Sequence, residues 1–203
     1  MNQNLYRNEA LDVIARNIIS KCDPSLLHTP APIPIEAIIE QVYKLDLDFQ
    51  YIRKNGRILG ETVFEDCMVP IYERRNGEGY KLVPFKSGTI IIDMSLHNRR
   101  SDGRYHYTCA HELSHWVIDK DYFTQLGEMA AMTKTTVRSS ESDKAVERQA
   151  DRLACRILMP KGTVKSAFYN NVRQGNVVDY LAKFFRVSNE AMKYRLEELG
   201  LLP

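Results

Sequence analysis

Within the stretch YTCAHELSHW, residues 107–116, His111, Glu112 and His115 make the pattern H-E-x-x-H. On a helix, side chains four apart lie on one face a turn from each other. Two imidazole nitrogens can then meet one cation while Glu112 reaches a water beside it. The chemistry such a set supplies is metal-assisted hydrolysis, with a cation that makes water acidic near pH 7 and polarises a carbonyl, and a glutamate that carries the proton. A chance match is expected about once in a hundred chains of this size, so the two histidines alone leave open a reading in which they are only helix neighbours.

A hydrolytic zinc takes three protein donors and keeps a fourth place open. The best-placed third donor is Glu147, in the helical stretch SSESDKAVERQADRLACRILMP. The apolar stripe Val146, Ala150, Leu153, Ala154 and Ile157 sets Glu147 beside the core-facing side, and Asp151 shares its face one turn on. A competing reading makes both carboxylates a solvated flank paired with Arg148 or Arg152. The metal reading is preferred because it compensates a carboxylate near a core, and because Asp151 can hydrogen-bond the outer nitrogen of a ligating histidine. Tyr105, His106, Tyr107 and His97 are candidate donors to a tetrahedral intermediate by nearness in sequence only.

The surrounding elements must bring these residues together. Leu5, Ala10, Val13, Ile14, Ile18 and Ile19 predict a first helix over about residues 4–20, broken by TPAPIPI; Ile35, Ile38, Ile39 and Val42 resume helical spacing. LDLDF reads as a short strand, MVPIY and YKLVPF as a hairpin around RRNGEG, and TIIID as a further strand. TIIID, shortly before the histidine helix, is expected to offer an edge to which an extended peptide substrate adds. Residues 105–118 read as helix, and the polar segment Lys120 to Ser139 has no assignment. Ser140 with Asp143 resembles a capping box, and Pro160 ends the helix that follows. VVDYLAKFF and NEAMKYRLEEL are two closing helices, with Ser188 as N-cap of the second.

The 203 residues, 44% hydrophobic and 27% charged with a net charge of +2, describe one ordinary globular domain without electrostatic bias toward nucleic acid or acidic lipid. No apolar run approaches the roughly 18 residues of a membrane span, and no signal peptide is legible at MNQNLYRNEA. Cys22, Cys67, Cys109 and Cys155 form no C-x-x-C pair, so reduced core thiols in a cytoplasmic protein are expected.

RYHYTCAHELSH followed by VERQADRLACRILMP resembles the ImmA/IrrE family of zinc metallopeptidases, whose members share such a histidine helix and a later E-x-x-A-(N/D) helix ending in L-M-P. The likeness takes in PIPIEAII and VSNEAMKYRLEELGLL, and so extends from about Pro32 to Leu202. It implies an α+β fold: a zincin-like metallopeptidase core with a small β-sheet packed on helices, and a helical C-terminal part. The expected organisation is a single domain over 1–203, with the core over about 1–160 and a helix-turn-helix-like layout over 161–203. Residue by residue, the resemblance makes His111, His115 and Glu147 the zinc ligands and Glu112 the general base. Manganese or iron suits the same donors. Ser114 stands where the family often has glycine, and Cys109 is a second local departure; neither removes a catalytic part.

The resemblance further implies a cytoplasmic endopeptidase whose partner is a helix-turn-helix repressor, cut to relieve repression in mobile elements or stress responses. Two alternatives stand beside it. One is a zinc-containing anti-repressor that sequesters without cutting; the intact Glu112 weighs against it, since a structural zinc site has no use for a base. The other is a DNA-binding module, because LAKFFRVSNEAMKYRLEELG has a helix, turn, helix layout near Lys183, Arg186, Lys193 and Arg195. Glu190, Glu197 and Glu198 on its second helix make phosphate attraction weak, so no direct nucleic-acid binding is expected.

Overall fold

The computed structural model describes residues 6–52, 59–73, 79–99, 103–121, 141–173 and 175–202. The β-branched run TIIID forms strand β5 (Thr89–Asp93), and all five residues are buried. A run apolar on both faces suits a strand covered on both sides, and β5 is the middle of a three-stranded sheet. β1 (Asp46–Gln50) pairs with it in parallel and β2 (Gly60–Thr62) antiparallel. This corrects the expectation that TIIID offers a free edge: both of its hydrogen-bonding sides are taken. Of the described strands in that sheet, β1 and β2 are the edges.

The expected hairpin is present. β3 (Cys67–Tyr72) and β4 (Tyr80–Phe85) pair antiparallel with Val69 opposite Val83. Its inner face, Val69, Ile71 and Phe85, closes a small second core with Ile52, Val63 and Ile91. Its outer face leaves Met68, Tyr80 and Leu82 exposed.

α1 (Asn8–Cys22) starts and ends a few residues later than its apolar spacing suggested, and buries Leu11, Ala15, Ile18 and Ile19. After the prolines, α2 (Ile35–Ala37) widens into a π-turn over Ile38–Val42, closed by the Tyr43 N–H bonding to the Ile38 carbonyl. The apolar positions are those expected, but the winding differs; Lys44, at φ 57°, then turns the chain into β1.

α3 (Gly103–Ile118) carries the histidines and α4 (Glu141–Leu158) carries Glu147. Ala110 and Ser114 on α3, and Ala150 and Ala154 on α4, are all fully buried small residues, which lets the two backbones approach closely. Ser114 costs nothing there, because its hydroxyl donates to the Ala110 carbonyl at 2.7 Å one turn back. The capping box expected at Ser140 and Asp143 lies outside the described residues, as does most of the segment left unassigned.

Three helices follow. α5 (Lys161–Asn171) was not expected: only Thr163, Val164, Ala167 and Phe168 are buried, and the rest of KGTVKSAFYNN is too polar to signal an amphipathic face. α6 (Val177–Phe185) ends at Arg186 in the left-handed region, and α7 (Asn189–Glu198) is capped as foreseen, Ser188 Oγ accepting from the Ala191 N–H at 3.1 Å. The turn between α6 and α7 presses on the start of α3. A Cβ on Gly103 would lie 2.6 Å from the Val187 carbonyl carbon and 2.9 Å from the Ser188 nitrogen, so only glycine fits. No helix among the described residues is long and apolar enough to cross a membrane.

Candidate active site

α3 and α4 cross so that His111, His115 and Glu147 converge, their ligand atoms all within 4.8 Å of one another. His111 Nε2 and His115 Nε2 are 3.0 Å apart, and the Glu147 carboxylate lies 3.3 Å from the first and 3.7 Å from the second. The other ring nitrogen of each histidine is engaged. His111 Nδ1 is 3.0 Å from Asp151 Oδ1, and His115 Nδ1 is 3.0 Å from Asp119 Oδ2. A carboxylate can only accept, so each Nδ1 carries a proton, and each Nε2 faces inward, presenting a lone pair when its ring is neutral.

With both rings neutral, two lone pairs and a carboxylate facing one another at these distances repel unless a metal ion lies among them, and without an ion protons on the rings take that place. A tetrahedral zinc with bonds of about 2.0–2.1 Å needs donors about 3.3–3.4 Å apart, which the three observed separations bracket. Among the described residues no fourth His, Cys, Asp or Glu joins the group. The donor chemistry therefore fits a divalent ion with a coordination place left open. The side chains of His115 and Glu112 are buried, whereas that of Glu147 is 59% exposed, so the cluster is reached from the Glu147 side.

The same geometry sets the electrostatics. Burial lowers the proton affinity of His111, but hydrogen bonds to Asp151 and Glu147, with the charge of Glu112, outweigh it and push the pKa up to about 10. Burial likewise lowers that of His115, and the bonds to Asp119 and Glu147 bring it up to about 9. The two histidines hold Glu147 far below the usual carboxylate range. Burial pushes Glu112 up, against the pull of His115, His111 and a hydrogen bond from Thr62.

An ion entering this cluster therefore competes with protons for the two rings. At pH 7 the ring pKa values lie above the solution pH, so zinc uptake is expected to release protons, and apparent affinity falls as pH drops. Calorimetric titration in buffers of different ionisation heat would measure the release; a buffer-independent enthalpy would mean that the rings are already neutral.

Asp151 stands where the sequence suggested a supporting carboxylate, and Tyr107 in turn donates to its Oδ1 at 2.9 Å. None of the four residues named near the motif is seen donating into the cluster. Tyr107 bonds Asp151, fully buried Tyr105 bonds Glu36, exposed His97 pairs with Asn98, and His106 is buried beside the Tyr105 ring. Sequence reasoning missed Asp119, although its i, i+4 spacing from His115 in HWVID was a usable signal. It is only 1% exposed, tying down the more deeply buried histidine. Asp119→Asn is expected to weaken zinc binding between about 10-fold and 100-fold, measured by competition with a chromophoric chelator; unchanged affinity would remove Asp119 from the site.

The mixed fold and the three-donor cluster define a metallopeptidase-like domain with a zincin-like core. Residues 71–197 match the profile of the IrrE N-terminal-like domain, Peptidase_M78, and the chain belongs to that family. Its fold is also similar to a solved structure described as a Mycobacterium tuberculosis transcriptional regulator, at 14% identity and a TM-score of 0.53. That similarity covers 94% of this chain and 57% of the other, so this chain spans little more than half of it. No match is found among curated proteins.

Proposed function

We propose that this protein is a cytoplasmic zinc-dependent endopeptidase that cuts a helix-turn-helix repressor, with His111, His115 and Glu147 as the metal ligands and Glu112 as the general base. The observation that carries this reading is the convergence of two imidazole lone pairs and one carboxylate beside a buried second glutamate. Family membership supports peptidase chemistry. The choice of a repressor as substrate leans on the resemblance of the sequence motifs to peptidases that relieve repression.

A bound zinc ion supplies Lewis acidity toward a water molecule and a peptide carbonyl. Glu112 takes a proton from the attacking water as the C–O bond forms, and returns it to the departing amine as the C–N bond then breaks. Asp151 and Asp119 hold the imidazoles in the tautomer that presents Nε2 inward. A substrate laid along the outer edge of β2, the strand beside Glu112, would bring its carbonyl to this side of the cluster.

We place the whole chain in one domain, the helices after residue 160 included. DNA reading by α7 has little support in the geometry. Arg195 is 1% exposed and held by Asp12, Glu198 and the Met159 carbonyl, while the exposed positions of α7 include Glu190 and Glu197.

The decisive experiment identifies the neighbouring reading frames and pairs the zinc-loaded protein with any helix-turn-helix repressor that they encode. A discrete cut is expected, lost on treatment with 1,10-phenanthroline and restored by zinc. Release of the repressor from its operator without any cut would favour the sequestering anti-repressor, and no effect on the repressor would remove it as the partner.

A further inference from the structure

Glu112 is held by more than its own helix. Side chains two apart in a strand share a face, and β2 turns Gly60 and Thr62 together toward Glu112. The Thr62 hydroxyl has one proton and two acceptors in reach, Glu112 Oε2 at 2.7 Å and the Glu112 carbonyl at 3.0 Å. The shorter contact goes to the oxygen that carries charge, at a length typical of a strong hydroxyl bond, so the proton belongs there.

At Gly60 the space of a side chain is already filled. A Cβ there would come within 2.6 Å of Glu112 Oε1, 2.7 Å of Glu112 Cγ and 2.8 Å of Thr108 Cγ2. One carboxylate oxygen is therefore tied to Thr62 and the other lies over the bare backbone of Gly60. Neither residue carries a signal in the sequence, since G-E-T is an unremarkable strand tripeptide.

We propose that Gly60 and Thr62 are positioning residues for the Glu112 carboxylate, Thr62 by donating to Oε2 and Gly60 by leaving the room that Oε1 and Cγ occupy. The inference rests on the reading of Glu112 as the general base. A glutamate carboxylate is otherwise free to turn about its last bond. With Oε2 engaged, Oε1 is the oxygen left to receive the proton from water, and Thr62 keeps its own proton throughout. Displacing a reacting group by about 1 Å costs on the order of 100-fold in rate.

The test uses the zinc-loaded full chain and a library of internally quenched decapeptides, with kinetics on the peptide cut fastest. Thr62→Val, which keeps the shape and loses the hydroxyl, is expected to lower kcat by about 10-fold to 100-fold with KM and zinc affinity within about twofold of wild type. Thr62→Ser restores kcat to within about threefold, and Gly60→Ala lowers kcat with zinc still bound. Wild-type rates in Thr62→Val, where Glu112→Gln is inactive, overturn this inference and leave the peptidase reading standing. Activity that falls in both Thr62 variants in step with zinc affinity or melting temperature makes the role structural and also overturns it. A wild type that cuts neither a peptide of the library nor a helix-turn-helix repressor, or a Glu112→Gln that cuts like wild type, defeats the base assignment and this inference with it.

Discussion

Replacing Glu112 with glutamine is expected to lower kcat for peptide cleavage by about 10²-fold to 10⁴-fold, the usual worth of a general acid–base group, with the zinc content unchanged. Glutamine matches glutamate in size, and its amide oxygen still accepts from Thr62, so the buried side chain keeps its place at 6% exposure. What is lost is a site that can take up and release a proton. The histidines and Glu147 are untouched, so metal binding should persist. Zinc stoichiometry, a melting curve and single-turnover cleavage on the same preparation would check this. A variant that retains metal and cuts at the wild-type rate would remove Glu112 as the general base and assign the proton transfer to another group.

The second large effect is on stability. Arg156 and Arg195 are 2% and 1% exposed, and both sit between Asp12 of α1 and Glu198 of α7. Arg195 also donates to the carbonyl of Met159, where α4 ends. The cluster therefore ties the first and last helices to the helix that carries Glu147. Removing one partner of a buried ion pair leaves uncompensated charge and costs about 3–5 kcal/mol. Arg195→Met is expected near 3 kcal/mol, at the low end of that range, because Arg156 remains beside both carboxylates. Against a total stability of about 5–15 kcal/mol, that loss shows clearly in urea unfolding. An unchanged midpoint would mean that the C-terminal helices are not fastened through this cluster, and would reopen the case for a separable module.

The two arginines show where sequence reading fails. Arg195 was considered as a candidate phosphate contact because it stands in a helix-turn-helix-like stretch; its neighbours in space, Asp12 and Glu198, decide otherwise. Residues 12 and 195 are close only after folding, and no local pattern encodes that contact. The same holds for β5. Its five β-branched or acidic residues suggested a strand, which it is. Whether a strand sits at the edge or the centre depends on which other segments pair with it, and those lie some 30 to 40 residues away in the chain. α5 escaped notice for another reason: its buried face, Thr163, Val164, Ala167 and Phe168, is short and half of it is small or polar, so the apolar signal is weak.

Where the chemistry depended on short-range spacing, the chain itself was sufficient. The four-residue spacing of His111 and His115 put both rings on one helix face, the stripe on the later helix set Glu147 and Asp151 toward the same side, and Ser188 announced a helix start. These follow from the helix period, which any stretch of about a dozen residues displays. Tertiary structure alone decided the rest: that Glu147 approaches the two rings at 3.3 and 3.7 Å, and that Asp119 and not a distant residue braces His115. It also decided that Gly60 and Thr62 enclose Glu112 and that the last helices are locked to the first. Each of these is a contact between surfaces brought together by burial, and packing has no period by which it could be read in advance.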